Sequence, residues 1–382
     1  MTETMDPETY KKYKRAAQII NGAGGTPLSL NDTLIRILKH IVPDEEVLDY
    51  VRFFKKKTTQ TMEQLKETTG LSEEVILPNV EKLARKGLIF NQPNRDGVMV
   101  YRLMPFIDVG VFEYTFMGKL EDNEANRELA QLYHELTTSL KGRLKENYDA
   151  VIEFMKTRKP VDRTIPFTEN KTTGKEIEIL INESLEVPEE KILPVQRVEE
   201  LIEKFNDIAV GHCFCRHQQD LLGNSCKQTD IRENCLTFGK SARYTADQGF
   251  SRLITKEEAL DIIRRSDDDG LVHKAYHPHF DTTMDETSLC ICCNCCCGQA
   301  GPETFNVNAT NFIAQVDEEL CTGCGICVEK CHTLTMQLND DNIATVGNKC
   351  IGCGVCAYEC PEQAISLKEN ERVIRFAPVR LE

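Results

Sequence analysis

The chain has 382 residues, 41% of them hydrophobic, and a formal net charge of −15. This length predicts two to four domains, and the acidic balance favours a positively charged redox partner protein and disfavours nucleic acid. Eighteen cysteines, no run of eighteen apolar residues and no apolar segment after Met1 predict a soluble cytoplasmic protein that binds metal through its thiols rather than forming disulfides.

Residues 1–120 are predicted to form a winged-helix-like domain with an N-terminal helix. The leading helix spans residues 7–20 and has a basic face, and the glycine-rich break 21–25 follows it. Apolar residues at helical spacing predict further helices over residues 34–41, 47–54, 62–69 and 72–87. A hairpin is predicted from two apolar stretches, 88–90 and 98–101, around the polar turn 94–97.

The helix over residues 72–87 stands where a DNA-reading helix would be expected. Its charged residues are of both signs: Glu73, Glu74, Glu81, Lys82, Arg85 and Lys86. It also contains Pro78 and lacks the stripe of Arg, Lys and Asn that contacts with base edges require. Protein docking or scaffolding is therefore favoured over DNA binding.

Residues 121–170 are predicted to be a helical linker, and residues 171–310 a cysteine-rich α+β domain. The linker packs through Leu129, Leu132, Leu136 and Leu140. The middle domain begins with a strand over 177–181 and a segment interrupted by Pro188 and Pro194. A helix over 198–205, a strand over 208–210 and a helix opened by the capping box Thr255-x-x-Glu258 follow.

Ten cysteines lie in the middle domain: Cys213, Cys215, Cys226, Cys235, Cys290, Cys292, Cys293, Cys295, Cys296 and Cys297. Thiols at this density favour a multinuclear centre reached through a tight turn, with Arg216 available to neutralise its charge. The predicted content is at least one further 4Fe–4S cluster, and the ten thiols would fill two such centres with two left over. The partition stays open, as does a zinc site at Cys213 and Cys215. Five histidines nearby are expected to be surface or hydrogen-bonding residues: His212, His217, His273, His277 and His279.

A duplicated cysteine motif dominates residues 311–382. The first copy is Cys321-x2-Cys324-x2-Cys327-x3-Cys331, and each cysteine of the second copy, Cys350, Cys353, Cys356 and Cys360, follows 29 residues later. In such runs the fourth cysteine ligates the other cluster. The predicted 4Fe–4S ligands are therefore Cys321, Cys324, Cys327 and Cys360 for one cluster, and Cys350, Cys353, Cys356 and Cys331 for the other. This spacing differs from that of paired zinc knuckles.

The two copies differ after their fourth cysteine. Pro361 follows Cys360, the usual arrangement, whereas His332 follows Cys331. The imidazole at this position is predicted to face water.

Four segments together resemble a family of 4Fe–4S binding proteins from anaerobes. They are Cys213-Phe-Cys215-Arg216, Cys226 with Cys235-Leu236-Thr237-Phe238-Gly239, Lys256 through His273, and Cys290 through Gly298. The resemblance runs from about residue 176 to 368 and includes a C-terminal ferredoxin module. The resemblance implies that the protein binds 4Fe–4S clusters and is associated with redox enzymes of anaerobic metabolism.

The sequence therefore predicts an α+β multidomain protein: residues 1–120 winged-helix-like, 121–170 linker, 171–310 cysteine-rich, and 311–382 a two-cluster ferredoxin-like domain. The predicted function is electron transfer at low potential, as a component of an oxidoreductase rather than a stand-alone enzyme. Two alternatives stay open: a redox-sensing transcriptional regulator, and a reductase with an open iron in its middle cluster. The chain contains no P-loop and no GxGxxG motif, which disfavours nucleotide and flavin binding.

Overall fold

The computed structural model describes residues 5–26, 28–160, 162–180, 197–277, 285–298 and 305–377. Helices and sheets are mixed along these ranges, so the predicted α+β class is confirmed. Pro188, Pro194 and His279 lie outside the described residues. Within the described ranges, no helix combines the length and apolar character needed to cross a bilayer.

The N-terminal part contains the predicted helices and hairpin. In chain order the elements are α1 (Pro7–Asn21), α2 (Asp32–Ile41), α3 (Glu45–Asp49), a 3-10 turn (Tyr50–Phe54), β1 (Thr59–Thr61), α4 (Met62–Thr69), α5 (Glu73–Ala84), β2 (Ile89–Pro93) and β3 (Met99–Leu103). Thr61 and Gln64 form a reciprocal capping box at the start of α4, and Gly70 ends that helix in the left-handed conformation. The strands form an antiparallel sheet in the order β1-β3-β2. The winged-helix assignment itself stays a prediction.

Three helices lead from this part into the rest of the chain. They are α6 (Val111–Met117), α7 (Glu124–Glu146) and α8 (Tyr148–Thr157). The leucine stripe of α7 packs as predicted, because Leu129, Leu132 and Leu136 are buried and Leu140 is partly buried against the same core. The linker is therefore packed against the N-terminal helices rather than solvated.

The remaining described residues form one large mixed sheet with helices, and a small hairpin. The elements are β4 (Asp162–Ile165), β5 (Ile179–Leu180), α9 (Val198–Lys204), β6 (Ile208–His212), α10 (Phe214–Leu221), β7 (Glu233–Phe238), α11 (Gly239–Asp247), β8 (Arg252–Ile254), α12 (Lys256–Asp268), β9 (Val272–Tyr276), β10 (Ser288–Cys292), β11 (Asn306–Val316), α13 (Ile326–Glu329), β12 (Met336–Leu338), β13 (Ala344–Val346), α14 (Val355–Tyr358) and β14 (Ile365–Phe376). Among the described residues nine strands join in the order β5-β14-β11-β4-β9-β10-β7-β6-β8. Strands β12 and β13 form the separate hairpin.

The large sheet joins the two cysteine-rich parts of the chain. Strands β11 and β14 flank the duplicated motif and pair antiparallel along most of their length. Strand β11 also pairs parallel with β4, which pairs with β9 of the middle part. The predicted boundary between residues 310 and 311 falls inside β11, and the division into domains stays a prediction.

The N-terminal part shares a hydrophobic core with the middle part. Phe112 on α6 makes an edge-to-face contact with Phe214 on α10, with ring centroids 5.7 Å apart. The hydroxyl of Tyr244 donates to the carbonyl oxygen of Ile89 at 3.1 Å. This core includes Cys215 and Cys235, so two of the middle cysteines belong to the same hydrophobic core as the N-terminal helices.

The predicted capping box of α12 is only half formed. The side chain of Thr255 accepts a hydrogen bond from the backbone N–H of Glu258, as the motif requires. The carboxylate of Glu258 instead pairs with Arg252 at 2.6 Å. The reciprocal half of the prediction is wrong because an Arg on β8 competes for the carboxylate.

Candidate metal centres

The first ferredoxin group consists of Cys321, Cys324, Cys327 and Cys360. These residues line one cavity of about 360 Å³. Cys327 and Cys360 are buried and Cys324 is exposed, so the cavity lies just below the surface. Backbone N–H groups of Ala344 and Ala364 donate to the sulfurs of Cys321 and Cys360 at 3.5 and 3.4 Å. Amides directed at sulfur are a means of tuning an iron–sulfur site.

The second ferredoxin group consists of Cys350, Cys353, Cys356 and Cys331. Burial, with the nearby thiols of Cys350 and Cys331, raises the pKa of Cys353 to about 12. Burial and the same neighbours raise the pKa of Cys356 well above its usual value. Cys331 of the first copy thus lies near two thiols of the second copy, and the crossed ligand assignment stays a prediction.

The two copies of the motif have equivalent hydrogen bonds from backbone N–H groups to cysteine sulfurs. The sulfur of Cys331 accepts from the N–H of Thr335, four residues later, as that of Cys360 accepts from Ala364. The sulfur of Cys350 accepts from the N–H of Ala314 on β11, and that of Cys321 from Ala344 on β13. Each group is therefore held partly by its own loop and partly by a strand.

Two glycines at matching positions permit these tight loops. Gly323 and Gly352 both have positive φ, 69° and 58°. A Cβ at Gly323 would lie 2.4 Å from the carbonyl oxygen of Asn342, and one at Gly352 would lie 2.3 Å from that of Phe312. These two glycines therefore allow the backbone to turn tightly beside the thiols.

The residues present fit 4Fe–4S clusters at both ferredoxin groups. Each group presents four thiols in a partly or fully buried site, where burial raises the pKa of Cys327 to about 11 and that of Cys353 to about 12. Thiols with such values stay protonated near neutral pH unless a positive charge is supplied. Bound iron supplies that charge and deprotonates a coordinating thiol.

A second cavity, here called the middle cavity, lies in the cysteine-rich part and also has a volume of about 360 Å³. Cys213 stands before α10, Cys235 lies on β7, and Cys290 and Cys292 alternate along β10. Alternate residues of a strand share a face, which explains why both β10 thiols reach the cavity. The thiols that line it are those of Cys213, Cys215, Cys235, Cys290, Cys292, Cys293 and Cys297.

A compact group at the surface, here called the outer quartet, consists of Cys226, Cys293, Cys295 and Cys296. All four sulfurs lie within 4.8 Å of one another. The sulfur of Cys295 is 3.5 Å from that of Cys226 and 3.6 Å from that of Cys296. The turn predicted within the late block is confirmed at residues 294–296, and it places three of these thiols together.

Arg216 lies between the middle cavity and the outer quartet. Its guanidinium is fully buried and donates to the carbonyl oxygen of Ile291 at 2.7 Å and to the amide oxygen of Asn234 at 2.9 Å. Burial alone would lower its pKa, but the nearby Cys213 and Cys293 raise the pKa above the usual value of arginine. The predicted role of Arg216 as a counter-charge to a thiolate centre thus has the required geometry.

The prediction that His332 faces water is wrong. Only 2% of its surface is exposed, and it lies near Cys297 and Lys274 of the middle part. Burial lowers its pKa, and the proximity of Cys297 partly opposes that effect. The duplicated motif could not reveal this environment, because the residues facing His332 are distant in sequence.

Lys274 is a buried charge that no sequence motif indicates. Its ammonium, on β9, lies 2.8 Å from the carboxylate of Asp162 on β4, and both side chains are fully buried. The amide nitrogens of Asn306 and Asn308 also donate to Asp162. No local pattern identifies such a lysine, since only the neighbouring strand supplies its partner.

Two histidines near the middle thiols have identifiable partners. The Nδ1 atom of His217 lies 2.8 Å from the carbonyl oxygen of Phe116, which confirms its expected hydrogen-bonding role. The Nε2 atom of His273 lies 3.0 Å from the carboxylate of Asp267. Both side chains are buried, so neither is a surface residue.

Comparisons with known proteins identify the C-terminal part of the chain. Residues 320–365 match the family model of the 4Fe-4S dicluster domain. A "Probable ferredoxin" from Methanosarcina thermophila is 54% identical over 35 residues, which are 9% of this chain and 60% of that protein. No solved structure matches the chain. The chain therefore contains a dicluster ferredoxin domain near its C-terminus, which implies two 4Fe–4S clusters and is of a kind suited to electron transfer.

Proposed function

We propose that this protein is an iron–sulfur electron-transfer protein or subunit that passes low-potential electrons between a donor and a partner oxidoreductase of anaerobic metabolism. When bound, 4Fe–4S clusters supply one-electron redox chemistry at potentials from roughly −700 to +450 mV, tuned by hydrogen bonds and exposure. The proposed ligands are Cys321, Cys324, Cys327 and Cys360 for one cluster, and Cys350, Cys353, Cys356 and Cys331 for the other. The middle thiols are proposed to hold at least one further cluster.

The observation that carries this proposal is the position of His332. It follows Cys331 of the second ferredoxin group and lies, buried, near Cys297 of the middle cavity. The residue that follows Cys331 of the second ferredoxin group thus lies close to a thiol of the middle cavity. Such an arrangement suits the passage of electrons between the ferredoxin domain and the middle part of the chain.

The first ferredoxin group is proposed to exchange electrons with a redox partner protein at the surface. Cys324 is exposed, and the exposed apolar side chains of Leu320 and Leu338 lie beside the first ferredoxin group. The exposed residues Glu318, Glu319, Asp340 and Asp341, which are close to these leucines in sequence, are proposed to form an acidic rim around them. An apolar centre with an acidic rim suits a partner that presents a basic face.

The N-terminal part is proposed to be a winged-helix-like scaffold for the middle cavity rather than a DNA-reading domain. Its core extends to Cys215 and Cys235, two of the thiols that line the cavity. The first turn of α5 carries Glu73 and Glu74, which would repel DNA phosphates. Both observations favour a structural role.

The proposed function is tested with dithionite-reduced protein, under exclusion of oxygen, and a basic c-type cytochrome as the probe acceptor. We expect reduction of the cytochrome at a rate that falls as ionic strength rises, because the acidic rim attracts the probe. The double variant Glu318→Lys/Glu319→Lys should lower this rate about tenfold at low ionic strength.

The matched control carries the same charge change on the exposed residues of α9, Glu199→Lys/Glu200→Lys. It should slow the reaction much less. A protein that takes up no electrons from dithionite would refute the function, whereas equal rates for both double variants would refute the proposed surface alone.

A further inference from the structure

The ten middle thiols fall into two sets that differ in size and shape. The outer quartet, Cys226, Cys293, Cys295 and Cys296, is compact, with all its sulfurs within 4.8 Å of one another. The other six thiols, those of Cys213, Cys215, Cys235, Cys290, Cys292 and Cys297, line the middle cavity. Cys293 also lines this cavity, but its sulfur belongs to the compact set.

We propose that the outer quartet binds a single zinc ion, and that the iron–sulfur cluster of the middle part lies in the middle cavity. A tetrahedral Zn²⁺ with Zn–S bonds of about 2.3 Å keeps its sulfurs about 3.8 Å apart. The distances of 3.5 and 3.6 Å from Cys295 to its two neighbours agree with this spacing. The thiolates of a cubane bind four different iron atoms and are held apart by the cluster body.

The middle cavity matches the first ferredoxin cavity in size. Its volume of about 360 Å³ equals that of the first ferredoxin cavity, whose four cysteines belong to the dicluster domain. Six thiols outside the quartet surround it, more than the four that a cubane needs. This half of the proposal rests on the proposed function, whereas the zinc site rests on the quartet alone.

The alternation of β10 and the turn after it produce this partition. Cys290 and Cys292 lie on the face of the strand that forms the cavity wall. The turn at 294–296 then directs Cys295 and Cys296 toward Cys226, and Cys297 returns to the cavity. A metal ion in the quartet would hold this turn and so position Cys297.

Hydrogen bonds of Gln228 connect the segment that contains Cys226 with two other segments of the chain, and this connection is here called the junction. The side chain of Gln228, two residues after Cys226, accepts from the N–H of Asn294 at 3.1 Å. Its amide nitrogen donates to the carbonyl oxygens of Asp269 and Gly270, between α12 and β9. The junction joins three segments distant in sequence, which is the usual task of a closed four-thiolate zinc site.

The test is the content of zinc, iron and acid-labile sulfide per chain in full-length protein purified without oxygen. We expect one zinc and about 12 irons, the content of three cubanes. X-ray absorption at the zinc edge should show four sulfurs at about 2.3 Å. About 16 irons without zinc would overturn the proposal, because the quartet would then belong to a fourth cluster.

Variants of each set separate the two sites. The substitutions Cys295→Ala and Cys296→Ala should each remove the zinc and leave about 12 irons. The triple substitution Cys215→Ala/Cys290→Ala/Cys292→Ala leaves three of the six cavity thiols, fewer than a cubane needs, and should remove about four irons and leave the zinc. Loss of iron from the Cys295→Ala protein would overturn the zinc assignment. Wild-type protein with zinc but only about 8 irons would instead refute the middle cluster of the proposed function and leave the zinc site standing.

Discussion

Lys274 and Asp162 form a buried ion pair in which each charge needs the other for the folded state to be stable. Both side chains are fully buried, and the carboxylate also accepts from Asn308 and Asn306. We expect Lys274→Met to lower the free energy of unfolding by about 3–5 kcal/mol, because it leaves a buried carboxylate without its counter-charge. Chemical denaturation of the holoprotein under exclusion of oxygen measures this change.

The double variant Lys274→Met/Asp162→Asn is the control for that experiment. It removes both charges while keeping the side-chain volumes close to the originals, so it should recover part of the lost stability. If the double variant is less stable than Lys274→Met, the ion pair is not the reason for the loss.

Glu113 is a second buried charge whose effect depends on pH. It lies near the start of α6, where one carboxylate oxygen accepts from the N–H of Gly110 at 2.8 Å. Burial raises its pKa from the usual 4.5 to about 7, the Gly110 N–H opposes the shift and Asp108 adds to it. The folded state therefore binds a proton more tightly than the unfolded state. Its contribution to stability is complete below pH 4.5 and is lost as the pH rises through about 7.

The substitution Glu113→Gln removes this ionisation and keeps an oxygen that can accept from Gly110. We expect the variant to gain stability over the wild type as the pH rises from 5 to 8, by up to about 3 kcal/mol. Urea denaturation of both proteins at each pH gives the difference directly. A difference that does not change with pH would contradict the raised pKa.

At the scale of elements, glycines in the loops of the duplicated motif are needed for two different reasons: positive φ, and close approach of another part of the backbone. Gly352 has positive φ and a position where a Cβ would meet the Phe312 carbonyl oxygen at 2.3 Å. Gly325 also has positive φ, but no atom lies within 4 Å of a Cβ placed there. We expect Gly352→Ala to lose about four irons, whereas Gly325→Ala should keep them at a cost of about 1 kcal/mol in stability. Iron analysis distinguishes the two, and equal losses would mean that backbone conformation alone limits the loop.

The helices and strands were predictable where local chemistry determines them. Apolar spacing predicts a helix over residues 62–69, and the structure contains it as α4, with caps at Thr61 and Gly70. The partner of Glu258 was not predictable, because Arg252 approaches it from another element. The same reason explains the wrong prediction for His332, whose neighbours Cys297 and Lys274 come from other parts of the chain.

At the scale of the whole molecule, one large sheet joins the thiol centres, while the middle thiols and the ferredoxin groups pack in separate hydrophobic cores. The spacing of the duplicated cysteines predicts which of them share a cluster, because it reflects a repeated local loop, and that assignment stays a prediction. The middle thiols gave no such partition, because Cys213 and Cys235 reach β10 only through pairing of distant strands. Long-range strand order is the part of the fold that local sequence patterns specify least.

The hydrophobic core that the N-terminal and middle parts share predicts that packing of the N-terminal part maintains the shape of the middle cavity. Gly211 on β6 pairs with Cys235, and a Cβ there would lie 2.4 Å from Cγ of Met117 at the end of α6. We expect Gly211→Val to push α6 away from the sheet and to reduce the iron content to about 8, the content of the two ferredoxin clusters. Iron and sulfide analysis, with electron paramagnetic resonance of the reduced protein, measures this loss.

The control for this prediction is Gly25→Val, since no atom lies within 4 Å of a Cβ at Gly25. It should retain the full iron content of the wild type. Unchanged iron in Gly211→Val would show that the cavity tolerates displacement of α6. Loss of all iron would show that the large sheet, which contains both β6 and the strands flanking the ferredoxin domain, responds as one unit. Selective loss is the expected outcome, because α6 packs on α10, which carries Cys215, while the ferredoxin groups have a separate hydrophobic core.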